Sequence, residues 1–227
     1  MKKWKRILLM AVVLVMACAG VSSAAVVEAA DPAAVAWCYV EGGGRNYYDN
    51  VEEALGNAAH DKRVRLQKDA VISAVAFAAN HVSIDGYGHT LTVDVSSLKE
   101  DEPKVLLSSS CSLDKTVITS SDPSRRLQIH INGNTLNLRN VVLEGSVYGQ
   151  KGSSISLLDD VTVDRIEGYA SLRVTGRLWA DFAECSFAEL HYAELTSTAS
   201  EPAYFWIPSS LVAGRYKFPP SAYCTLI

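Results

Sequence analysis

Two stretches of the chain repeat the same pattern of strand, turn and strand. The longer stretch runs from Ile84 to Val93 (IDGYGHTLTV) and the shorter from Ile131 to Leu138 (INGNTLNL). In each, an apolar residue enters a turn made of Asp or Asn and a glycine, and an alternating strand follows. Units this short cannot bury their own apolar faces. The repetition therefore predicts a fold in which stacking of successive units forms the core.

A looser repeat in the second half of the chain has the length of one solenoid coil. Six-residue segments begin at Leu138 (LRNVVL), Leu158 (LDDVTV) and Val174 (VTGRLW), so the offsets are 20 and 16 residues. Each carries Asn, Asp or Gly at its third place, as turns between short parallel strands prefer. We therefore predict an all-β fold, a right-handed parallel β-helix over residues 62–200, with a C-terminal cap or tail over 201–227.

One helix is predicted before the solenoid, over residues 49–59. Asp49 can act as its N-cap with Glu52 three residues later, as in a capping box. Apolar residues then recur with helical spacing at Val51, Ala54, Leu55 and Ala58. The open end of a stacked-strand fold exposes apolar side chains and unpaired strand edges, so we expect this helix to cover it. Residues 26–61 then form a leader and an N-terminal cap.

The segments after the helix are predicted to be short β-strands joined by polar loops. Val71 to Phe77 is apolar and rich in alanine, and we assign it to a β-segment. Three polar runs, Lys99 to Pro103, Ser108 to Ser110 and Ser120 to Arg126, are predicted to be loops that project from the coils.

The first 25 residues have the pattern of a secretory signal peptide. A basic stretch (KKWKR) precedes the apolar segment from Ile7 to Ala17, and Ser23 to Ala25 resembles a cleavage site. We therefore expect an extracellular or cell-surface location, with no membrane span after cleavage. Two other interpretations stay open: a lipoprotein signal acylated at Cys18, and an uncleaved anchor over Ile7 to Val27.

Cleavage after Ala25 would leave an acidic chain. It removes four of the 21 Lys and Arg residues and none of the 25 Asp and Glu residues, which gives a net charge of −8. A chain of this charge without a basic stripe is a poor partner for nucleic acid or for an anionic lipid surface.

Four cysteines, Cys38, Cys111, Cys185 and Cys224, follow the signal segment. An even number in an exported chain suits one or two disulfides, and buried thiols acting as small apolar side chains suit the pattern equally well. The spacings contain no C-x-x-C pair and no histidine at a metal-ligand interval, so we predict no metal site at the cysteines.

Residues 47–93 carry a resemblance to a known family. This run contains a Y-x-x-V-E-E-A-L helix, a V-R-L-x-K-D strand and a V-x-I-D-G-x-G-H-T-L-T strand. It resembles the N-terminal cap and first coils of secreted bacterial right-handed parallel β-helix proteins of the pectate-lyase-like superfamily. The resemblance implies that fold and an extracellular or surface setting. Members of the superfamily include polysaccharide lyases, glycoside hydrolases and non-catalytic surface proteins, so the resemblance selects no activity.

One cluster of acidic residues is the candidate site for chemistry. Its members are Asp159, Asp160 and Asp164, with Arg165 beside them, and we expect Asp181 and Glu184 to lie one coil further on. A β-helix lyase uses stacked carboxylates to hold Ca²⁺ and a basic residue to abstract a proton. Asp-Asp is also favourable turn chemistry in a solenoid that binds no metal.

The sequence therefore favours a non-catalytic, exported β-helix module that binds a glycan or a protein partner. The alternative is a secreted polysaccharide lyase or glycoside hydrolase that uses the acidic cluster. The apolar run Tyr204 to Ile207 has two interpretations, a C-terminal cap and an aromatic platform on which sugar rings stack.

The signal segment gives a testable prediction. We expect the exported protein to begin close to Val26, because the small residues at Ser23 to Ala25 suit signal peptidase. N-terminal sequencing and intact mass of secreted material measure this directly. A lipid-modified N-terminal Cys18 would establish the lipoprotein interpretation instead.

Overall fold

The computed structural model describes residues 31–59, 63–79, 81–99, 104–196, 204–207, 216–217 and 223–226. The predicted signal peptide and the alternative acylation site at Cys18 lie outside these residues. In the described part of the chain, no helix is long and apolar enough to cross a membrane.

The alternating segments stack into a parallel β-solenoid of about seven turns, which confirms the predicted fold class. Strands of successive coils pair in parallel, and the antiparallel pairings among the described strands are those of β1 with β2 and with β3. The strands are β1 Ala36–Tyr39, β2 Arg45–Tyr48, β3 Arg63–Leu66, β4 Ala70–Ser73, β5 Ser83–Asp85, β6 Thr90–Asp94, β7 Lys104–Leu106, β8 Cys111–Ser120, β9 Leu127–His130, β10 Thr135–Gly149, β11 Ser154–Gly168, β12 Ser171–Trp179, β13 Phe182–Glu184, β14 Phe187–Thr196, β15 Tyr204–Ile207, β16 Tyr216–Lys217 and β17 Tyr223–Leu226.

The pairing divides the solenoid wall into three sheets that meet at corners. Sheet 1 consists of β3, β5 and the first parts of β8, β10, β11, β12 and β14. Sheet 2 consists of β4, β6, the following parts of the same five long strands, and β16. Sheet 3 consists of β7, β9, the ends of β10 and β11, and β13, β15 and β17.

Every second side chain of a strand points into the solenoid and stacks on its equivalents in the coils above and below. One such column in sheet 1 is fully buried and consists of Val64, Ile84, Leu113, Leu138, Leu157, Val174 and Leu190. Full burial of one such side chain stabilises the fold by roughly 1.5–3 kcal/mol. The outward side chains on either side of the column form the surfaces available for binding.

The corner between sheets 1 and 2 depends on residues with positive φ. Lys115, Asn140 and Asp159 have φ of 48°, 53° and 60°, and Gly176 in the next coil has φ of 110°. Asn and Asp tolerate this left-handed region better than most residues, and Gly adopts it freely. Asn140 Nδ2 donates to Asp159 Oδ2 at 3.2 Å across neighbouring coils. The left-handed residue of this corner is therefore at the third place of the looser repeat in Asn140 and Gly176, and at the second place in Asp159.

The strand register corrects the predicted repeat in two details. Leu138 pairs with Leu157 before the corner and Val141 with Val161 after it, so the offset changes from 19 to 20 residues. The next offset is 17 and not 16, because Asp159 pairs with Gly176. A single spacing cannot hold across a corner where one coil has an extra residue.

The two copies of the opening motif lie at different corners. The copy at Ile84 joins sheets 1 and 2, whereas the copy at Ile131 joins sheets 3 and 1. Both corners need a residue with positive φ, supplied by Tyr87 and by Asn132, each at 52°. The repeated motif therefore marks corners that need a residue with positive φ. The spacing between its two copies does not give the length of a coil.

Helix α1 spans Val51–Asn57, shorter than the predicted 49–59, and its N-cap is Asn50 and not Asp49. Asn50 Oδ1 accepts a hydrogen bond from the backbone N–H of Glu53 at 2.7 Å. Glu52 instead accepts from the backbone N–H of Ser73 at 2.7 Å, which ties the helix to the end of β4. The helix buries its apolar residues against β1 to β4, as expected of an N-terminal cap.

A second helix, α2, spans Ala74–Ala79, where the sequence predicted a β-segment over Val71 to Phe77. The strand β4 ends at Ser73, and the alanine-rich run that follows has high helix propensity. Phe77 is fully buried and anchors the helix to the core. The helix contacts β7, so it covers the first strand edge of sheet 3.

Strands also lie between the predicted loops. Residues 108–110 and 121–126 connect strands as expected, and residues 100–103 lie outside the described part. Between these runs, however, β7 completes one coil and β8 forms the sheet 1 and sheet 2 parts of the next, so the region continues the solenoid.

The cysteines fit the interpretation as apolar core residues. Cys38, Cys111 and Cys185 are buried thiols. Burial raises the pKa of Cys111 to about 12, which keeps it protonated and unreactive at neutral pH. The side chain of Cys224 lies outside the described part of the structure.

The left-handed corner gives a stability prediction. A Cβ on Gly176 would lie 2.4 Å from the carbonyl oxygen of Asp159, and φ there is 110°. We expect Gly176→Ala to lower the free energy of unfolding by about 2–4 kcal/mol, since it combines backbone strain with overlap.

Gly42→Ala is the matched control, because Gly42 has a φ of 97° but a Cβ added there would meet no atom within 4 Å. Gly42→Ala should lower the free energy of unfolding by about 1 kcal/mol. Urea titration of both variants measures the two changes. Equal effects of the two variants would show that the contact between coils contributes nothing.

Candidate functional site

The predicted acidic cluster is divided between the two corners that flank sheet 2. Asp159 and Asp160 lie at the corner with sheet 1, and Asp164 and Arg165 lie at the corner with sheet 3. The Cα atoms of Asp160 and Asp164 are four residue steps apart along an extended strand, which separates them by about 13 Å. The four residues therefore do not form one site.

The carboxylate of Asp160 is occupied by an arginine of the next coil. Arg177 donates from Nε and Nη2 to the two carboxylate oxygens at 2.7 and 2.6 Å. Asp160 raises the pKa of Arg177 through these hydrogen bonds. The guanidinium also lies 5.0 Å from the ring centroid of Trp179. This arrangement supports the interpretation of Asp159 and Asp160 as corner residues.

Asp164 lies in a column of three carboxylates on consecutive coils. Glu144 precedes it and Asp181 follows it, and the backbone N–H of Asp181 donates to the carbonyl of Asp164 at 3.0 Å. The expected position of Asp181, one coil further on, is confirmed. Burial, followed by the charges of Asp181 and Glu144, raises the pKa of Asp164, while Arg126 at 3.6 Å opposes the shift.

The carboxylates do not combine into a metal site. In the ranges that the structure describes, no three Asp, Glu, His or Cys side chains are placed to hold a metal ion. Glu144 has another partner, since the hydroxyl of Thr119 donates to its Oε2 at 2.7 Å. The structure thus offers no support for the Ca²⁺ that the lyase interpretation requires.

Arg165 points to a different surface, the outer side of sheet 3. Its Nε donates to Glu167 Oε1 at 2.5 Å, and its guanidinium lies 4.5 Å from the ring centroid of Phe182 in the next coil. The remaining predicted residue, Glu184, lies on the same sheet one coil after Glu167.

The outer side of sheet 3 carries an unusual concentration of rings. We call it the aromatic face, and its members are His130, Tyr148, Arg165, Phe182 and Tyr204. The rings of His130 and Tyr148 lie 5.0 Å apart, and Tyr148 and Tyr204 are 40% and 48% exposed. The register places Arg165, Phe182 and Tyr204 in one column, with neighbouring strands about 4.8 Å apart.

Sequence reasoning identifies only part of this face. The sequence predicts Tyr204 as part of an aromatic platform, and it assigns Arg165 to the acidic cluster. It does not connect Tyr148 with Phe182, because they lie 34 residues apart with no common motif. The signal that finds them is the strand register, which aligns outward positions of successive coils.

Comparisons with models of protein families, with curated protein sequences and with solved structures gave no significant match. The resemblance to pectate-lyase-like proteins over residues 47–93 therefore remains a prediction.

The raised pKa of Asp164 predicts a pH dependence of stability. A carboxyl with a higher pKa in the folded state binds its proton more tightly there. Its unfavourable contribution is thus absent below the ordinary value of 3.8 and grows as the pH rises through the raised pKa. We expect Asp164→Asn to unfold at higher urea concentration than the wild type at pH 7 and to lose this advantage near pH 3.

Asp122→Asn serves as a control of opposite sign. Hydrogen bonds from Ser124 lower the pKa of Asp122, so this carboxylate stabilises the fold above its unfolded pKa. The variant should be less stable than the wild type at pH 7. If Asp164→Asn is less stable than the wild type at pH 7, the stabilisation from the ion pair with Arg126 exceeds the cost of burying the carboxylate.

Proposed function

We propose that this protein is a non-catalytic, exported module that binds a glycan through the aromatic face. The observation that carries the proposal is the column of Arg165, Phe182 and Tyr204, with Tyr148 beside it, on one outer surface of a rigid solenoid. Export rests on the signal segment of the sequence.

The chemistry of the face suits a sugar chain. The flat apolar side of a sugar ring packs on an aromatic ring, and each square ångström of apolar surface removed from water contributes roughly 25 cal/mol. Arg165 and Glu167 supply hydrogen-bond donors and acceptors at the edge of the rings. Because the face crosses successive coils, with Arg165 and Glu167 between the rings of Tyr148 and Phe182, we expect the glycan to lie along the solenoid axis.

The ion pairs of two charged groups that the enzyme alternative would use support binding without turnover. Asp160 is paired with Arg177, and Arg165 is paired with Glu167. A general acid or base needs a titratable group within hydrogen-bond reach of the substrate proton. On the aromatic face, the carboxylate of Glu167 is held in the ion pair with Arg165.

One observation favours the alternative, a secreted polysaccharide lyase or glycoside hydrolase. The column of Glu144, Asp164 and Asp181 brings carboxylates together, and the pKa of Asp164 is raised. Glycosidases use two carboxylates whose pKa values are pushed apart, one of them protonated as the acid. This column, and not Asp159 and Asp160, is where such an activity would be located.

Removal of two rings of the aromatic face, the exposed Tyr148 and the partly buried Phe182, tests the proposal. We expect Tyr148→Ala and Phe182→Ala each to weaken glycan binding at least tenfold, because each removes a stacking surface. Isothermal titration against oligosaccharides of neutral sugars and of uronic acids measures the affinity.

Tyr87→Ala is the matched control, since Tyr87 is 57% exposed at the corner between sheets 1 and 2, away from the face. It should bind as the wild type does. Equal loss in all three variants, or no binding by the wild type, would contradict the proposal. Release of new reducing or unsaturated ends, abolished in Asp164→Asn, would establish the enzyme alternative.

A further inference from the structure

A polar groove lies on the outer side of sheet 1, a different surface from the aromatic face. Its volume is about 190 Å³, and it crosses the strands β3, β5, β8 and β10. The polar side chains that line it are Arg63, Ser83, Ser112, Asp114, Asn137 and Arg139. Successive coils contribute one or two of these residues each, so the parallel register assembles the groove.

The centre of the groove is a buried carboxylate with one unsatisfied oxygen. The side chain of Asp114 is only 8% exposed. Its Oδ2 accepts a hydrogen bond from Arg139 Nη2, whereas Oδ1 has no hydrogen-bond partner among the residues that the structure describes. Buried polar atoms in native proteins nearly always have a partner. Asp114 Oδ1 is therefore able to accept a hydrogen bond from a donor that the chain does not supply.

The rest of the lining consists of apolar side chains, Ile84, Leu113 and Leu158, and of polar side chains that carry both donors and acceptors. Asn137 Nδ2 donates to Ser112 Oγ at 3.1 Å, which leaves the amide oxygen of Asn137 and the hydroxyl proton of Ser112 for other partners. Arg139 is 44% exposed and carries further N–H donors beside Asp114. Such a half-exposed side chain can change rotamer to admit a ligand.

This chemistry discriminates among ligand classes. An anion without a proton to donate could contact Arg63 and Arg139 but could not satisfy Asp114 Oδ1, and an ammonium group would be repelled by the same two arginines. Asp85 pairs in register with Asp114 on the neighbouring coil, but among the described residues no third Asp, Glu, His or Cys side chain completes a metal site with these two. A hydroxyl group both donates and accepts, so it can satisfy Asp114 Oδ1 and accept from Arg139 at once.

We infer that this groove binds a single sugar residue through adjacent hydroxyl groups, with Asp114 Oδ1 as the acceptor at its centre. The choice of a sugar rests on the proposed function, but the groove and the aromatic face lie on different sheets. The protein therefore has two separate sites for a glycan. Sugar rings stack on the aromatic face, and sugar hydroxyl groups form hydrogen bonds in the groove.

The test compares two variants that remove the same charge. Asp114→Asn replaces the carboxylate with an amide of the same shape, which can present an N–H where Oδ1 was and so fail to accept a hydroxyl proton. Asp160→Asn is the control, since Asp160 also pairs with an arginine but lies in an exposed corner. Methyl glycosides of glucose, galactose, mannose and xylose are titrated by isothermal calorimetry and by NMR.

We expect at least one glycoside to bind the wild type and Asp160→Asn alike, and to bind Asp114→Asn at least tenfold more weakly. Asn137→Ala keeps Asp114 and Arg139 in place and should weaken the same glycoside about threefold, which guards against misfolding of Asp114→Asn. Unchanged binding by both groove variants would overturn the inference.

The aromatic variants separate the two proposals. If Tyr148→Ala abolishes glycoside binding while Asp114→Asn does not, the inference fails and the proposed function stands. If Asp114→Asn abolishes it while Tyr148→Ala and Phe182→Ala have no effect on any glycan, the groove stands and the aromatic face fails. Absence of binding to every glycoside and oligosaccharide overturns both.

Discussion

The parallel hydrogen-bonded ladder between successive coils is the constraint on which the rest of this structure depends. It requires each coil to bend at the same place, because a side chain or turn out of step would break the ladder above and below it. Residues with positive φ, among them Asn140, Asp159 and Gly176, provide that bend between sheets 1 and 2. With the corners aligned, inward side chains stack into buried columns and outward side chains form continuous surfaces.

The same ladder brings outward charges of neighbouring coils to within about 5 Å of each other. Three arrangements of these neighbouring charges occur in the structure. Asp160 pairs with Arg177 in solvent, Asp164 lies against Glu144 and Asp181 with a raised pKa, and Asp114 is buried with one oxygen paired to Arg139. Stability alone explains the first arrangement. The second retains an electrostatic cost, seen in the raised pKa of Asp164, and the third leaves Asp114 Oδ1 without a hydrogen-bond partner among the described residues.

Function in such a fold belongs to surfaces, since the interior is filled by stacked apolar side chains. The two proposed binding sites, the aromatic face on sheet 3 and the groove on sheet 1, would use different physics, ring stacking in one and hydrogen bonding in the other. Both are assembled from residues that are distant in sequence and adjacent in the register. The constant spacing of the ladder would let the proposed aromatic face match a polymer of repeating units, whereas the proposed groove would hold a single sugar residue.

The sequence by itself determined the class of fold, because period-two alternation and recurrent Asn, Asp and Gly at corners are local properties of the chain. It also determined that a helix caps the N-terminal end, to within one residue of the N-cap. The helix at Ala74 to Ala79, the offsets of 19 and 17, and the partners of each outward side chain were decided only by tertiary structure. Asp159 to Arg165 looked like one cluster because the residues are close in sequence, but an extended strand separates them. Tyr148 and Phe182 are far apart in sequence, and coil stacking places them on one face.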